Sequence, residues 1–202
     1  GFGIALGDLA LERFRGADAE LLRELEATMV FENRQDIRLN QESIVVAYTT
    51  RGGAIERLSL LRILLKACRA VGVEVEHGSR LDAIERFRDY DLIVAADGAN
   101  SAVRSLHARE FGTETRTLTN HMAWYGVGRA LAPNGLSFRR TADGYFVGHY
   151  YAYTPSMSTF VAECDAATWR DAGFDAMSEP QRRAYMERVF QPELQGAPLL
   201  DN

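Results

Sequence analysis

Residues 91–104 constrain this chain more than any other stretch: Asp91-Leu-Ile-Val-Ala-Ala-Asp97-Gly98-Ala-Asn100-Ser101-Ala-Val-Arg104. The apolar run Leu92–Ala96 predicts a buried strand, because both of its alternating faces are hydrophobic. It stops at Asp97-Gly98, an acid followed by a residue free of Cβ constraint. Asn100 and Ser101 then offer cap-type side chains before a short basic segment ending at Arg104. In open α/β sheets, ligands bind just outside the carboxyl ends of the strands, where this cluster falls. An Asp there can accept from ribose-like hydroxyls, a Gly lets the backbone approach a phosphate, and a helix N-terminus favours an anion. The string therefore predicts a nucleotide site. It also reads as an ordinary strand-turn-helix link, with Asp-Gly as the turn and Ser101 as N-cap.

The longer pattern Ala-Asp-Gly-x-x-Ser-x-x-Arg behind an apolar strand resembles the second flavin motif of the class A aromatic-ring hydroxylases, the 4-hydroxybenzoate hydroxylase-like FAD monooxygenases. Asp97, Gly98, Ser101 and Arg104 match it position for position, and Asn100 is counted with them. The resemblance implies contact with the FAD pyrophosphate and ribityl region and a link to NAD(P)H binding.

Composition is that of an ordinary globular chain: 202 residues, 47% hydrophobic, 25% charged, formal net charge −5. No apolar stretch approaches the roughly 20 residues that span a bilayer, so no membrane is expected. No basic tract points to nucleic acid, and a pI near 5.5 argues against it. Cys68 and Cys164 lie far apart without metal-ligand spacing and read as small buried hydrophobes, which fits a reducing cytoplasm. The chain opens at Gly1 inside a motif-like string and closes at Asn202 in a loop-like stretch, so a longer parent protein is expected.

Gly1-Phe-Gly-Ile-Ala-Leu-Gly7 is not a dinucleotide fingerprint, since no strand precedes it and Leu6 stands at the sixth position. It predicts a Gly-rich loop leading into a helix over about Asp8–Arg15, with Leu9, Leu11 and Phe14 on a partly apolar face. A second helix is expected from Asp18, its cap, to about Thr28, with Leu21, Leu22 and Leu25 inward. The opening is similar to a Gly-containing loop beside the flavin in the same hydroxylases, nearest to the Gly-Trp-Gly-Val-Val form of the salicylyl-CoA 5-hydroxylase and anthraniloyl-CoA monooxygenase branch. That implies flavin contacts at Gly1, Phe2 and Gly3; a frayed terminal loop is the plain alternative.

Ile37–Asn40 and Ser43–Thr50 alternate and are rich in β-branched residues, predicting a hairpin. A regular helix is expected over Leu58–Val71, with Leu58, Leu61, Leu64, Leu65, Cys68 and Val71 as its apolar stripe and Gly72 as its end. Val73–His77 predicts a strand, with His77 and the later His107 at the surface. The order helix, strand, linker, strand, motif is α/β organisation. Arg57 matches the Arg of the family's Ser/Arg-x-x-Leu-x-x-x-Leu segment, which implies a place near the FAD; a guanidinium there suits a pyrophosphate, and a solvated Arg is the plain alternative.

After Phe111-Gly112 the texture turns to β. Met122–Gly128, Leu136–Arg140, Tyr145–Tyr153 and Ser158–Cys164 predict an antiparallel meander, with Asp143-Gly144 as a tight turn. Helices are expected from Asp165 and over Glu179–Phe190, the latter capped by Ser178. This half resembles the substrate domain of the same hydroxylases, most clearly in Ser158–Cys164 with Thr168-Trp169-Arg170 and Ala172-Gly173. The fold expected is α/β: an incomplete Rossmann-like FAD-binding domain over 1–32 and 52–110, and a substrate-binding antiparallel β-sheet domain with peripheral helices over 33–51 and 111–202.

The resemblance implies an FAD-dependent aromatic monooxygenase. Such an enzyme reduces FAD with NAD(P)H, forms a C4a-hydroperoxyflavin with O2, and inserts one oxygen into an activated ring. The substrate implied is an aryl-CoA, indole or phenol. The flavin supplies the hard chemistry, so no catalytic triad is required, and none is legible. Alternation in Gly148–Tyr153 puts His149, Tyr151 and Tyr153 on one strand face. A His can take a phenolic proton near neutral pH, and Tyr or Trp124 can stack on an aromatic ring. A sheet core of aromatics with a satisfied His is the plain alternative, and His121 reads as structural or surface rather than catalytic. The family's N-terminal Gly-x-Gly-x-x-Gly and its later Gly-Asp segment have no counterpart in these residues, so weak FAD binding by this chain alone is expected. Rival readings are a same-fold flavin reductase and a non-catalytic module that binds an aromatic metabolite; a halogenase of that fold would need Trp- and Lys-containing motifs that the sequence lacks.

Overall fold

A computed structural model describes residues 2–80 and 84–201. In chain order the elements are β1 (Gly3–Leu6), α1 (Asp8–Ala17), α2 (Ala19–Glu26), β2 (Val30–Phe31), β3 (Arg34–Leu39), β4 (Glu42–Ala47), β5 (Gly53–Glu56) and α3 (Arg57–Ala70). A short 3-10 turn (Ile84–Phe87) and α4 (Ala102–Leu106) follow. After them come β6 (His121–Val127), β7 (Asn134–Arg140), β8 (Tyr145–Thr154), β9 (Met157–Cys164), α5 (Ala166–Asp171), α6 (Glu179–Val189), α7 (Gln191–Leu194) and β10 (Leu199–Leu200). The chain is α/β and divides into two compact units, Gly1–Val73 with Thr119–Asn202, and Glu74–Leu118.

The larger unit holds both sheets. The seven-stranded sheet runs β10-β6-β9-β8-β7-β3-β4, antiparallel except where β3 lies parallel to β7. The β3–β4 hairpin matches expectation, with Asn40 at φ 55 in its turn. Alternation along β8 decides which face is core: Phe146 and Tyr150 point into a cluster with Phe160, Phe174, Met186, Phe190 and Leu194. Helices α5 to α7 cover that face, and four of these aromatics are fully buried. Each such side chain contributes about 1.5–3 kcal/mol of apolar burial. Gly148 admits the helical layer, because a Cβ there would meet Phe190 at 2.8 Å and Phe160 at 2.9 Å. The opposite face carries Tyr151, Tyr153 and Trp124, packed with Phe2 and Ala54.

The small sheet runs β1-β5-β2, wholly antiparallel. Gly3–Leu6, expected as loop, is thus a strand, because β5 supplies a backbone partner for all four residues. Helices α1 to α3 pack around Leu25, Ile55 and Ile63. Asp18 caps α2 as expected, accepting from the Glu20 and Leu21 amides at 2.9 Å. The face that α3 buries differs from the expected stripe. Ile63 and Leu60 turn inward, whereas Leu58 and Leu61 are 44% and 45% exposed.

In the smaller unit, α4 is the one α-helix among the described residues. Leu92–Ala96, expected as a buried strand, lies outside regular secondary structure, and Leu92 and Val94 are 79% and 78% exposed. Val73–His77 likewise forms no strand. Strand preference is realised only where a neighbouring strand completes the hydrogen bonds, and among the described residues neither segment has one. No helix among the described residues is long and apolar enough to cross a membrane.

Candidate functional site

The larger unit contains a cleft of about 420 Å³, within the range typical of small-molecule sites. Its walls come from the turn after β1 (Leu6, Gly7), the approach to β5 (Gly52, Gly53), the hairpin residues Gln35 and Tyr48, and β8. From β8, His149 and Tyr151 line it from one strand face, with Tyr150 also at its edge and Tyr153, expected on the same face, outside it. His149 and Tyr151 stand one above the other on the sheet because side chains two residues apart share a face.

Register fixes the neighbours of each. His149 lies opposite Leu136 of β7 and Val161 of β9, and its Nε2 is 3.3 Å from Glu163 Oε1. Tyr151 lies opposite Thr159, and its hydroxyl donates to the Gly3 carbonyl at 3.0 Å. Burial pushes the Tyr151 phenol above its ordinary range, so it stays a donor at neutral pH. On the hairpin wall, the Tyr48 hydroxyl donates to Gln35 Oε1. The Glu32 carboxylate, also on the wall, is held below its usual range by its hydrogen bond to Arg34.

The remaining candidates separate by location. Trp124 stands on the same sheet face but outside the cleft walls; it meets Phe2 edge-on, and its Nε1 is buried with no partner among the described residues. Tyr153 is buried beside Phe2 and lies across Gly3. Gly3 has both backbone groups occupied: its N–H donates to Thr159 Oγ1 at 3.0 Å, and its carbonyl accepts from Tyr151 and Thr159. Phe2 is buried over Gly126, and its carbonyl accepts from the Arg57 amide at 3.1 Å, while the Arg57 side chain is exposed at the start of α3. Gly1 lies outside the described residues. His121, expected to be structural or at the surface, stacks on Trp169 at 4.1 Å between ring centres.

In the smaller unit, Asp97 fastens the start of α4. Its carboxylate accepts from Ser101 Oγ at 2.6 Å and from the Ala102 and Val103 amides at 2.7 and 3.3 Å. Those bonds, the Ser101 hydroxyl foremost, hold it below the ordinary carboxylate range. Ser101 Oγ accepts from the Arg104 amide at 3.0 Å, which is the cap expected from the sequence, and the Arg104 guanidinium donates to the Ala99 carbonyl. Gly98 adopts φ +85, a conformation glycine takes without strain, and a Cβ there would meet nothing within 4 Å. Asn100 is exposed in the turn.

Gln35, Tyr48 and Glu163 were not singled out from the sequence. Glu163 shares the β9 face of Thr159 and Val161 by simple alternation, a signal that could have found it. Among the described residues, no group of three His, Cys, Asp or Glu could hold a metal ion.

No family model matches the chain. Among curated proteins it is 38% identical over 167 residues to a 3-hydroxy-4-methyl-anthranilyl-[aryl-carrier protein] 5-monooxygenase of Streptosporangium sibiricum, covering 83% of this chain and 46% of that protein. It is 31% identical to a salicyloyl-CoA 5-hydroxylase of a Streptomyces species, covering 100% of this chain and 40% of the relative. The chain thus spans less than half the length of either. A solved structure of 2-methyl-3-hydroxypyridine-5-carboxylic acid oxygenase, in a tetrameric form, shares the fold with a TM-score of 0.68 at 18% identity, over 98% of this chain and 59% of that one. The sequence relatives are an aromatic-ring monooxygenase and hydroxylase, the fold is that of oxygenases of the same class, and the chain belongs to the class A FAD-dependent aromatic monooxygenases.

Proposed function

We propose that the whole protein hydroxylates an aromatic ring with FAD, NAD(P)H and O2, and that its substrate carries its carboxyl group as a CoA or carrier-protein thioester. The observation that carries this reading is the shared exposure of His149 and Tyr151 on the wall of one cleft sized for an aromatic ring. The thioester is favoured by the relatives, whose names specify an aryl-carrier-protein and a CoA-linked substrate.

The cofactor assignment rests on the resemblance of the Asp97–Arg104 string to the family's flavin motif. Within that string Gly98 holds φ +85 with open space around it, which leaves its backbone accessible. Asp97, Gly98, Asn100, Ser101 and Arg104 are assigned to the pyrophosphate and ribityl region. Gly1, Phe2 and Gly3 are assigned to contacts beside the flavin and Arg57 to a phosphate. Residues 1–32 and 52–110 then serve the cofactor, and 33–51 and 111–202 the substrate. When bound, FAD supplies the oxygen-transfer chemistry. The chain's own part is to hold the ring: Tyr151 keeps its proton and its place through Gly3, His149 accepts a proton from a ring hydroxyl or amine, and Trp124 backs the same sheet face with apolar surface.

The test is spectroscopic and then catalytic. The whole protein should show a flavin band after FAD reconstitution, oxidise NAD(P)H, and add one oxygen to anthraniloyl-CoA or salicylyl-CoA in preference to a free indole. A reconstituted protein without a flavin band would falsify the reading.

A further inference from the structure

The β8–β9 register brings one acidic side chain to His149. His149 lies opposite Val161, and Glu163 lies opposite Val147, so the two occupy a diagonal on one sheet face, where long side chains meet. His149 Nε2 stands 3.3 Å from Glu163 Oε1, with the side chains 42% and 31% exposed. His149 reaches the cleft wall from this position, and Tyr151 beside it is anchored to Gly3. A histidine–carboxylate contact this open adds little to stability, so its use lies in orientation.

We propose that Glu163 is a positioning residue for His149. The carboxylate accepts the Nε2 proton, holds the imidazole plane against the sheet, and leaves Nδ1 as the ring's acceptor toward the cleft. In the step this serves, the O–H or N–H bond of a ring substituent breaks and its proton passes to Nδ1. The electron pair stays on the substituent, enriching the aromatic ring for attack by an electrophilic oxygen. The imidazolium so formed faces the Glu163 carboxylate. This role rests on the proposed function of the cleft.

Two measurements on Glu163→Ala and Glu163→Asp test it. Ring-carbon NMR relaxation should show an ordered His149 imidazole in the wild type, a mobile one in Glu163→Ala, and restored order in Glu163→Asp; His149→Gln assigns the signal. In the whole protein, kcat should fall roughly tenfold in Glu163→Ala with KM little changed, and recover in Glu163→Asp. The thermal midpoint should barely move. A His149 ring as ordered without Glu163 as with it overturns the positioning role, as does an unchanged kcat. A wild type that hydroxylates no aromatic compound overturns the proposed function instead, and the relaxation measurement still decides the pair.

Discussion

Tyr153 lies across Gly3 so closely that a Cβ on Gly3 would stand 2.3 Å from the tyrosine Cγ. The strand cannot retreat from that ring, because the Gly3 N–H and carbonyl are both bonded to Thr159 and the carbonyl also to Tyr151. Residues about 150 positions apart are thereby locked together, and the small sheet is registered on the large one.

Gly3→Ala should therefore destabilise the protein by about 1–3 kcal/mol, the range for overpacking a filled site. Gly16→Ala provides the opposite sign. That glycine sits within α1 with open space around it, so the added methyl should stabilise by about 0.5–1 kcal/mol through helix propensity and reduced unfolded-state freedom. Urea midpoints of the two variants check both signs.

Glu193 is a second buried anchor. Its side chain is 0% exposed, paired with Arg139, and it accepts from Ser137 Oγ at 2.7 Å. Glu193→Ala leaves the Arg139 guanidinium without its partner in a largely buried place, which costs about 3–5 kcal/mol. Ser137→Ala removes one neutral donor and should cost about 1 kcal/mol. Equal losses from the two variants, measured by chemical unfolding, would show that charge plays no part.

Alkaline pH should weaken the helix-covered core. Burial pushes Tyr125 and Tyr150 up to about 12 from an ordinary 10, and Cys164 up to about 11 from 9. Their folded values lie above the unfolded ones, so their contribution is fully present below the unfolded values. The unfolded chain releases these protons first, and stability declines from about pH 9 for the thiol and from about pH 10 for the phenols until the folded groups ionise. Each phenol is worth on the order of 2 kcal/mol over its window. Unfolding midpoints between pH 8 and 12 should slope downward, and Tyr150→Phe should flatten that slope.

The legible parts of this fold are those in which local pattern and tertiary partner agree. Alternation in Tyr145–Tyr153 separated Phe146 and Tyr150 from His149 and Tyr151, because a strand between two neighbours keeps its period. In α3, Leu58, Leu60, Leu61, Ile63, Leu64 and Leu65 surround the helix, so periodicity alone could not tell that Ile63 faces Ile55 and Leu25. Leu92–Ala96 has strand composition without a strand beside it among the described residues, and composition cannot supply the missing hydrogen bonds. The hold of Thr159 on Gly3 and of Arg139 on Glu193 was invisible for a different reason. Each joins residues far apart in sequence through contacts that only the folded topology creates.

Asp97 offers a test that separates a structural part from a cofactor part. Its carboxylate gathers the Ser101 hydroxyl and two amides at the start of α4, and Ser101 passes the chain of bonds to the Arg104 amide. Asp97→Ala should speed hydrogen exchange at Ala102 and Val103, and Ser101→Ala should do the same chiefly at Arg104. Because the folded carboxylate titrates below its unfolded range, protection from this cap should be present above about pH 4 and lost as pH falls through the lowered value. If Asp97 serves only the helix, both variants weaken FAD retention by the whole protein in proportion to the opening of α4. If the carboxylate also meets the cofactor, Asp97→Ala loses FAD well beyond what its exchange rates account for, while Ser101→Ala does not. The second pattern is the expected one, since Gly98 beside it leaves the backbone open to a phosphate.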